Sequence, residues 1–318
     1  MHPVLFFDPC MRATARSIRQ HQSYIELGNI SWKGFADGWP NLFIHDRKTC
    51  VKHRDLVYLA HLRSERDVFR FWAVLRALIR YGANSLHLVL PYFPVGTMDR
   101  VIRDGEVVTA MSLASLIDAL PHTRHGAPDI TLFDVHDPHE RFYFHNGALP
   151  EFETTMPYFH QYLRQEGGGL AKVAICFPDE GAFKRYGCQF PSSLWQRIFC
   201  HKTRDGKKRN IKIIEGNPRG RRVWIVDDLM LSCATLLECG DALLRKGAVE
   251  VNAYAPHGVC PNHSWRKFLK SRFTRVVITD SCPLIAHAVQ GTHPFHVLPL
   301  APELAKLIQP EQERLKGA

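Results

Sequence analysis

The sequence predicts an α/β protein in two domains, each a mainly parallel sheet flanked by helices. Its 318 residues match the length of two ordinary domains. Short apolar runs alternate with segments of helical period, the pattern of strands joined by crossover helices. The scheme is then repeated beyond a polar stretch from Pro150 to Gly169 that ends in three glycines. The boundaries expected from this are residues 1–150 and 151–300, with residues 301–318 as a terminal helix.

In the first half the expected strands are Val4–Phe7, Leu42–Ile44, Leu56–His61, Leu86–Leu90 and Ile130–Asp134. The clearest helix runs from Ser64 to Tyr81, with Val68, Phe71, Trp72, Leu75, Leu78 and Ile79 on one stripe. Ser64 followed by Asp67 opens it, and Gly82 closes it. In the second half the strands are Val173–Phe177, Val223–Val226, Val249–Ala255, Val276–Thr279 and His296–Pro299. A helix over Thr235–Lys246 carries Leu236, Leu237, Leu243 and Leu244 and stops at Gly247.

Composition narrows the function. Hydrophobic residues are 45% of the chain and charged residues 23%, enough apolar surface for a packed core. Lys and Arg number 41 against 31 Asp and Glu, a formal charge of +10 that suits an anionic ligand such as a nucleotide or sugar phosphate. The one dense basic cluster, Lys202–Arg209, comes without zinc-finger spacing or an RNA-binding aromatic signature, so no nucleic-acid partner is expected. Nine cysteines are dispersed with no CxxC pair, which reads as reduced thiols and argues against a structural zinc site. No run of 18 apolar residues and no targeting signal is recognisable, so the expectation is a cytoplasmic protein with no membrane partner.

The sharpest motif is VWIVDDLMLSCATLLECGDALLRKGA, Val223 to Ala248. An apolar strand runs into Asp227 and Asp228, then into small and hydroxylated residues, then into an amphipathic helix. Carboxylates at a strand's carboxyl end can accept hydrogen bonds from vicinal sugar hydroxyls. A helix N-terminus offers free amides to a phosphate dianion. The spacing therefore fits ribose 5-phosphate, with the alternative that this is an acidic loop capping a helix. Asp134 and His136, two residues apart at a strand end, are expected to project to one side. With Asp179 they make a His/carboxylate set suited to a divalent ion; a structural histidine is the alternative for His136, and His139 and His145 read as surface. Lys202 and Arg204 lie in a hydrophilic, turn-rich segment and can close over a triphosphate. Lys207, Lys208 and Arg209 read as a solvated charge run.

Six segments in one order carry a resemblance: FADGWPNLFI, LVLPYFPVGTMDR, LFDVHDPHERFYF, FPDEGAFKR, the Lys202–Arg204 segment and VVITDSCP. Together with the Asp227 motif they resemble the ribose-phosphate diphosphokinases, most closely the plant-type class II branch, over roughly 280 residues. The resemblance implies two phosphoribosyltransferase-type domains, with the C-terminal helix packing on the first. It implies transfer of a diphosphoryl group from ATP to ribose 5-phosphate, with Mg2+ as cofactor, in a homo-oligomer or an association with a homologue. Lys202 and Arg204 match catalytic positions, and Asp227, Asp228, Leu231, Ser232, Cys233, Ala234 and Thr235 match the ribose 5-phosphate loop. Phe35, Asp37, Thr97 and Asp99 match the ATP site, and His136 and Asp179 the metal.

The chain departs from the pattern at Leu231 and Ala234. Ala234 stands where the family has a glycine, so a methyl there either is tolerated, at about 1 kcal/mol of strain, or blocks the phosphate; tolerance is the expectation, because Asp227, Asp228, Ser232 and Thr235 are all present. Val95–Arg100 lacks the Arg and Gln of the class I nucleotide site, and Trp39 stands for a class I Glu; both are class II traits. Two alternatives follow, a catalytically weak member that regulates an active homologue, and a phosphoribosyltransferase acting on a base.

Overall fold

The computed structural model describes residues 2–145, 150–166, 172–205 and 208–308, and for 202–205 and 208–210 the backbone only. The chain divides into two compact units, Met1–Glu153 with Pro299–Ala318, and Thr154–Leu298. The boundary falls within the expected join, between Glu153 and Thr154, and of that join the three glycines 167–169 lie outside the described residues, as does the chain beyond residue 308.

The first unit is built on β1 (Val4–Phe7), β2 (Glu26–Leu27), β5 (Asp55–Leu59), β6 (Ser85–Leu90), β7 (Asp129–Phe133) and β8 (Glu151–Glu153). All pair in parallel, in the order β2-β1-β5-β6-β7-β8. Successive side chains of β1 face opposite layers. Val4 and Phe6 join a core under α3 (Glu65–Arg80) and α4 (Thr109–Asp118). Leu5 joins another with Met11, Ile18 of α1 (Arg12–His21) and Leu304 of the C-terminal helix Ala301–Leu307. A single helical turn, α2, covers Arg47–Cys50. Helix α3 starts where its sequence says: the Ser64 side chain accepts from Asp67 N at 3.3 Å, and Gly82 leaves it at φ +89°.

The second unit carries β9 (Val173–Phe177), β10 (Gln196–Asp205), β11 (Lys208–Glu215), β12 (Arg222–Val226), β14 (Glu250–Tyr254), β16 (Arg275–Thr279) and β17 (Phe295–Leu298). Their order is β11-β10-β9-β12-β14-β16-β17, parallel except for the β10–β11 pair. Two short strands, β13 (Leu229–Met230) and β15 (His257–Gly258), pair in parallel beside it. One face packs on α7 (Ala234–Arg245) through Leu236, Cys239 and Leu243. The other takes aromatic residues of α5 (Met156–Gln165), where Phe159 stacks on Tyr254 at 4.0 Å, and of α6 (Glu180–Tyr186). Helix α8 (Pro283–Val289) links β16 to β17.

Three expectations need correction. Leu42–Ile44 is in β4 (Pro40–Ile44), which pairs antiparallel with β3 (Ile30–Gly34) as a separate hairpin and not in the main sheet. The segment expected to be a turn-rich loop at Lys202–Arg204 follows a strand backbone, with Lys202 opposite Ile211 and Arg204 opposite Arg209. Charge density hid its period of two, carried by Ile198, Cys200, Ile211 and Ile213, which turn to one core. Asp134 does not continue β7: the strand ends at Phe133 and Asp134 takes φ +40°, so alternation does not put Asp134 and His136 on one side.

Candidate functional site

In the second unit, the connections that leave the adjacent strands β9 and β12 run in opposite directions. The chain passes from β9 to its neighbour β10 on one side, then returns through β11 to β12 on the other. Open parallel sheets bind ligands in the crevice beyond the carboxyl ends of strands at such a reversal. Two conspicuous polar turns leave the sheet there. Pro178 and Asp179 follow β9, and Asp227 and Asp228 follow β12.

The two adjacent carboxylates are held differently. Asp228 is buried, 4% exposed, and its Oδ1 lies 2.8 Å from Arg185 Nη1 on α6. Its backbone carbonyl accepts from His257 N at 3.1 Å. Asp227 is half-buried, its N–H donates to Tyr254 O at 3.0 Å, and its Oδ1 accepts from Asp228 N at 3.0 Å. Burial, then the charges of Asp228 and Asp179, pushes the Asp227 carboxyl well above the usual carboxylate range. Asp179 caps α6, accepting from Ala182 N at 3.0 Å. Three carboxylates therefore share this corner of the fold with the Arg185 guanidinium.

The loop Leu231–Ala234 leads into α7. Leu231 and Ser232 are exposed, and Thr235 is half-buried in the first turn. The strain expected of Ala234 falls elsewhere: Ala234 is the first helical residue, and the left-handed conformation, φ +62°, belongs to Cys233. The loop is braced from the helical stretch Pro261–Lys270. Lys267 Nζ donates to Ser232 O at 2.9 Å, the Ser264 hydroxyl to Leu231 O, and Cys233 Sγ lies 3.7 Å from Cys260 Sγ. Cys233 supplies the buried side chain that fixes the loop, so the helix N-terminus is presented by an anchored turn. The backbone of Lys202 and Arg204 lies in β10; their side chains fall outside the described residues.

In the first unit, Phe35 and Asp37 form the tip of the β3–β4 hairpin. Asp37 Oδ1 accepts from Trp39 N at 3.1 Å, and Phe35, Trp39 and Phe43 are 57%, 58% and 61% exposed. Thr97 is exposed, whereas Asp99 is buried, paired to Arg100 at 2.6 Å, with its carbonyl accepting from the Tyr143 hydroxyl. Arg100 also meets Asp137 at 3.1 Å. His136 is half-buried, and Gly96 backs onto it: a Cβ there would lie 3.3 Å from His136 Cβ.

No family model matches the chain. Ribose-phosphate pyrophosphokinase 3, chloroplastic, of Oryza sativa subsp. japonica is 39% identical over 313 residues, 96% of this chain and 76% of that protein. Ribose-phosphate pyrophosphokinase 4 of Arabidopsis thaliana is 39% identical over 311 residues, 96% of this chain and 91% of that protein. The chain belongs to the ribose-phosphate pyrophosphokinase family. A further plant relative, ribose-phosphate pyrophosphokinase 3, mitochondrial, of Spinacia oleracea, is 38% identical. The fold is that of phosphoribosylpyrophosphate synthetase from Mycobacterium smegmatis, whose crystal structure matches with a TM-score of 0.83 at 19% identity over 100% of both chains.

Within this ribose-phosphate pyrophosphokinase family member, the sequence motifs did not single out Arg185, Ser264 or Lys267. Arg185 was visible only as the last residue of FPDEGAFKR, with nothing local to say that it meets Asp228. The ITDSCP segment was legible as a motif but not as a brace: the Thr279 and Ser281 hydroxyls both donate to Pro256 O, at 2.8 and 3.0 Å, and fix the turn after β14. Among the described residues no helix is long and apolar enough to cross a membrane.

Proposed function

We propose that the chain transfers a diphosphoryl group from ATP to ribose 5-phosphate, giving phosphoribosyl pyrophosphate and AMP for nucleotide biosynthesis. The observation that carries this reading is the carboxylate pair beside an anchored helix N-terminus, at the strand reversal of the second sheet. The anomeric hydroxyl oxygen attacks the β-phosphorus of ATP, the bond from that phosphorus to the α–β bridging oxygen breaks, and AMP leaves with the oxygen. The hydroxyl proton passes to solvent. Such transfers are catalysed mostly by positioning and charge stabilisation.

Asp227 and Asp228 accept from the vicinal ribose hydroxyls, with Arg185 balancing the charge of Asp228. The amides of the Leu231–Thr235 loop, with the Ser232 and Thr235 hydroxyls, take the 5-phosphate. Cys233 and Ala234 shape that loop. Lys202 and Arg204 neutralise the transferring group. Phe35, Asp37, Thr97 and Asp99 serve ATP. The donor set fits magnesium: the charges of Asp179 and Asp228 both act on Asp227, and carboxylate oxygens are what this hard cation prefers. Asp179 would hold it in the second unit, and His136 is the metal residue that the resemblance implies in the first. Magnesium, when bound, offsets the negative charge of the ATP phosphates.

The exposed aromatic hairpin supports self-association or pairing with a homologue, since neighbouring exposed rings mark interaction surfaces. A cytoplasmic location belongs to this proposal as well. Calorimetric titration with ribose 5-phosphate tests it. The parent should bind, Asp227→Asn should bind at least about tenfold more weakly, and ribose without its phosphate should bind poorly. Equal affinity for ribose and its 5-phosphate would remove the loop from the site.

A further inference from the structure

We propose that Cys176, Cys200 and Cys239 form a binding site for one thiophilic closed-shell metal ion, zinc or cuprous copper. The three come from separate elements, near the end of β9, within β10 and in the second turn of α7. Their sulfur atoms converge at 3.6 Å (Cys176–Cys200), 3.6 Å (Cys176–Cys239) and 3.7 Å (Cys200–Cys239). All three side chains are buried in the core between sheet and helix. Among the described residues this is the set of three ligating groups that meets so closely.

The spacing is that of a coordination polyhedron. Three corners of a sulfur tetrahedron with metal–sulfur distances of about 2.3 Å stand about 3.8 Å apart. The cluster is within a few tenths of an ångström of this without backbone rearrangement. Three thiolates select soft ions, which excludes magnesium and calcium and favours zinc or cuprous copper. Each thiol that becomes a ligand releases its proton to solvent as the metal binds. A disulfide, the competing fate of close thiols, would engage two of the three and leave the third aside. The expectation that the chain lacks a thiolate metal site rested on missing CxxC pairs, and a site assembled from three distant elements leaves no such spacing.

Position gives the cluster leverage. Cys176 precedes Asp179 by three residues, Cys200 precedes Lys202 by two, and Cys239 follows Thr235 by four. A bound ion would tie the roots of all three segments together.

The test uses the full chain, reduced and metal-free, loaded anaerobically with Zn(II) alone or Cu(I) alone against a competing chromophoric chelator. Loading is done on the folded chain and during refolding, so that slow entry into the core does not conceal binding. X-ray absorption then counts the sulfur neighbours. The expected result is one tightly held ion per chain with three sulfurs at about 2.3 Å. Cys200→Ser should lose it and Cys260→Ser, which alters the other close thiol pair, should keep it. The metal retained in competition identifies the ion. No tightly held ion of either kind, fewer than three sulfurs, or retention by Cys200→Ser would overturn the proposal. Should Cys200→Ser not fold, the sulfur count on the unmutated chain decides alone.

Discussion

Arg185 on α6 sets its Nη1 2.8 Å from Oδ1 of Asp228, joining a helix after β9 to the turn after β12. Both side chains are largely withdrawn from water, so neither charge is comfortable without the other. Removing one partner of such a pair costs about 3–5 kcal/mol, because the remaining charge stays buried. Arg185→Ala should therefore lower the free energy of unfolding in denaturant by that order. A loss under about 1 kcal/mol would mean that the pair behaves like a surface ion pair.

A second prediction concerns Asp8, which follows β1 and is buried. Its carboxyl accepts from the Tyr58 hydroxyl at 2.6 Å and from His61 N at 2.8 Å. Burial outweighs both hydrogen bonds and raises its pKa from 3.8 to about 6. The folded state therefore holds this proton more tightly than the unfolded chain does. The stability contributed is fully present below about pH 4 and is lost as pH rises to about 6. Measured against Asp8→Asn, the parent should lose roughly 3 kcal/mol of relative stability across that window and stay level above it. A flat difference between pH 4 and 6 would show that Asp8 ionises as in the unfolded chain.

Strands covered on both faces were legible, because their apolar runs are continuous: Val4–Phe7, buried but for the half-buried Phe7, and Val173–Phe177 coincide with the expected spans. The Asp227 motif was legible as strand, acid pair, small residues and helix. What stayed hidden depends on contacts between distant segments. Nothing near Arg185 names Asp228, and nothing near Lys267 names the carbonyl of Ser232. The β10–β11 hairpin was hidden differently, since its charged tip masks the alternation of Ile198, Cys200, Ile211 and Ile213. At Ala234 the expected tolerance agrees with a helical residue, but sequence position alone cannot say that Cys233 is the residue of this tight loop that turns left-handed.

Gly240 in α7 sets two local rules against each other. Helix propensity favours alanine over glycine by about 1 kcal/mol. A Cβ at Gly240, however, would lie 2.5 Å from Phe273 Cε2 and 2.6 Å from its Cζ, within a packed core. Overpacking typically costs about 1–3 kcal/mol and should prevail. Thermal unfolding of Gly240→Ala should occur at a lower temperature than in the parent; a rise would mean that the Phe273 ring moves aside freely.

At Ala234 the structure favours tolerance. The residue is helical, so glycine relieves no strain there. Ala234→Gly should change the affinity for ribose 5-phosphate by less than about threefold. Tightening of tenfold or more in calorimetry would instead show a methyl obstructing the phosphate, and would favour a regulatory chain over an enzyme.

In the proposed reaction this chain alone moves two phosphoryl groups together. Phosphorus NMR of the purified protein with ATP, magnesium and ribose 5-phosphate tests it directly. AMP and phosphoribosyl pyrophosphate should form in equal amounts, with neither product when ribose 5-phosphate is omitted. Formation of ADP, or no turnover by a folded chain that binds both substrates, would contradict it.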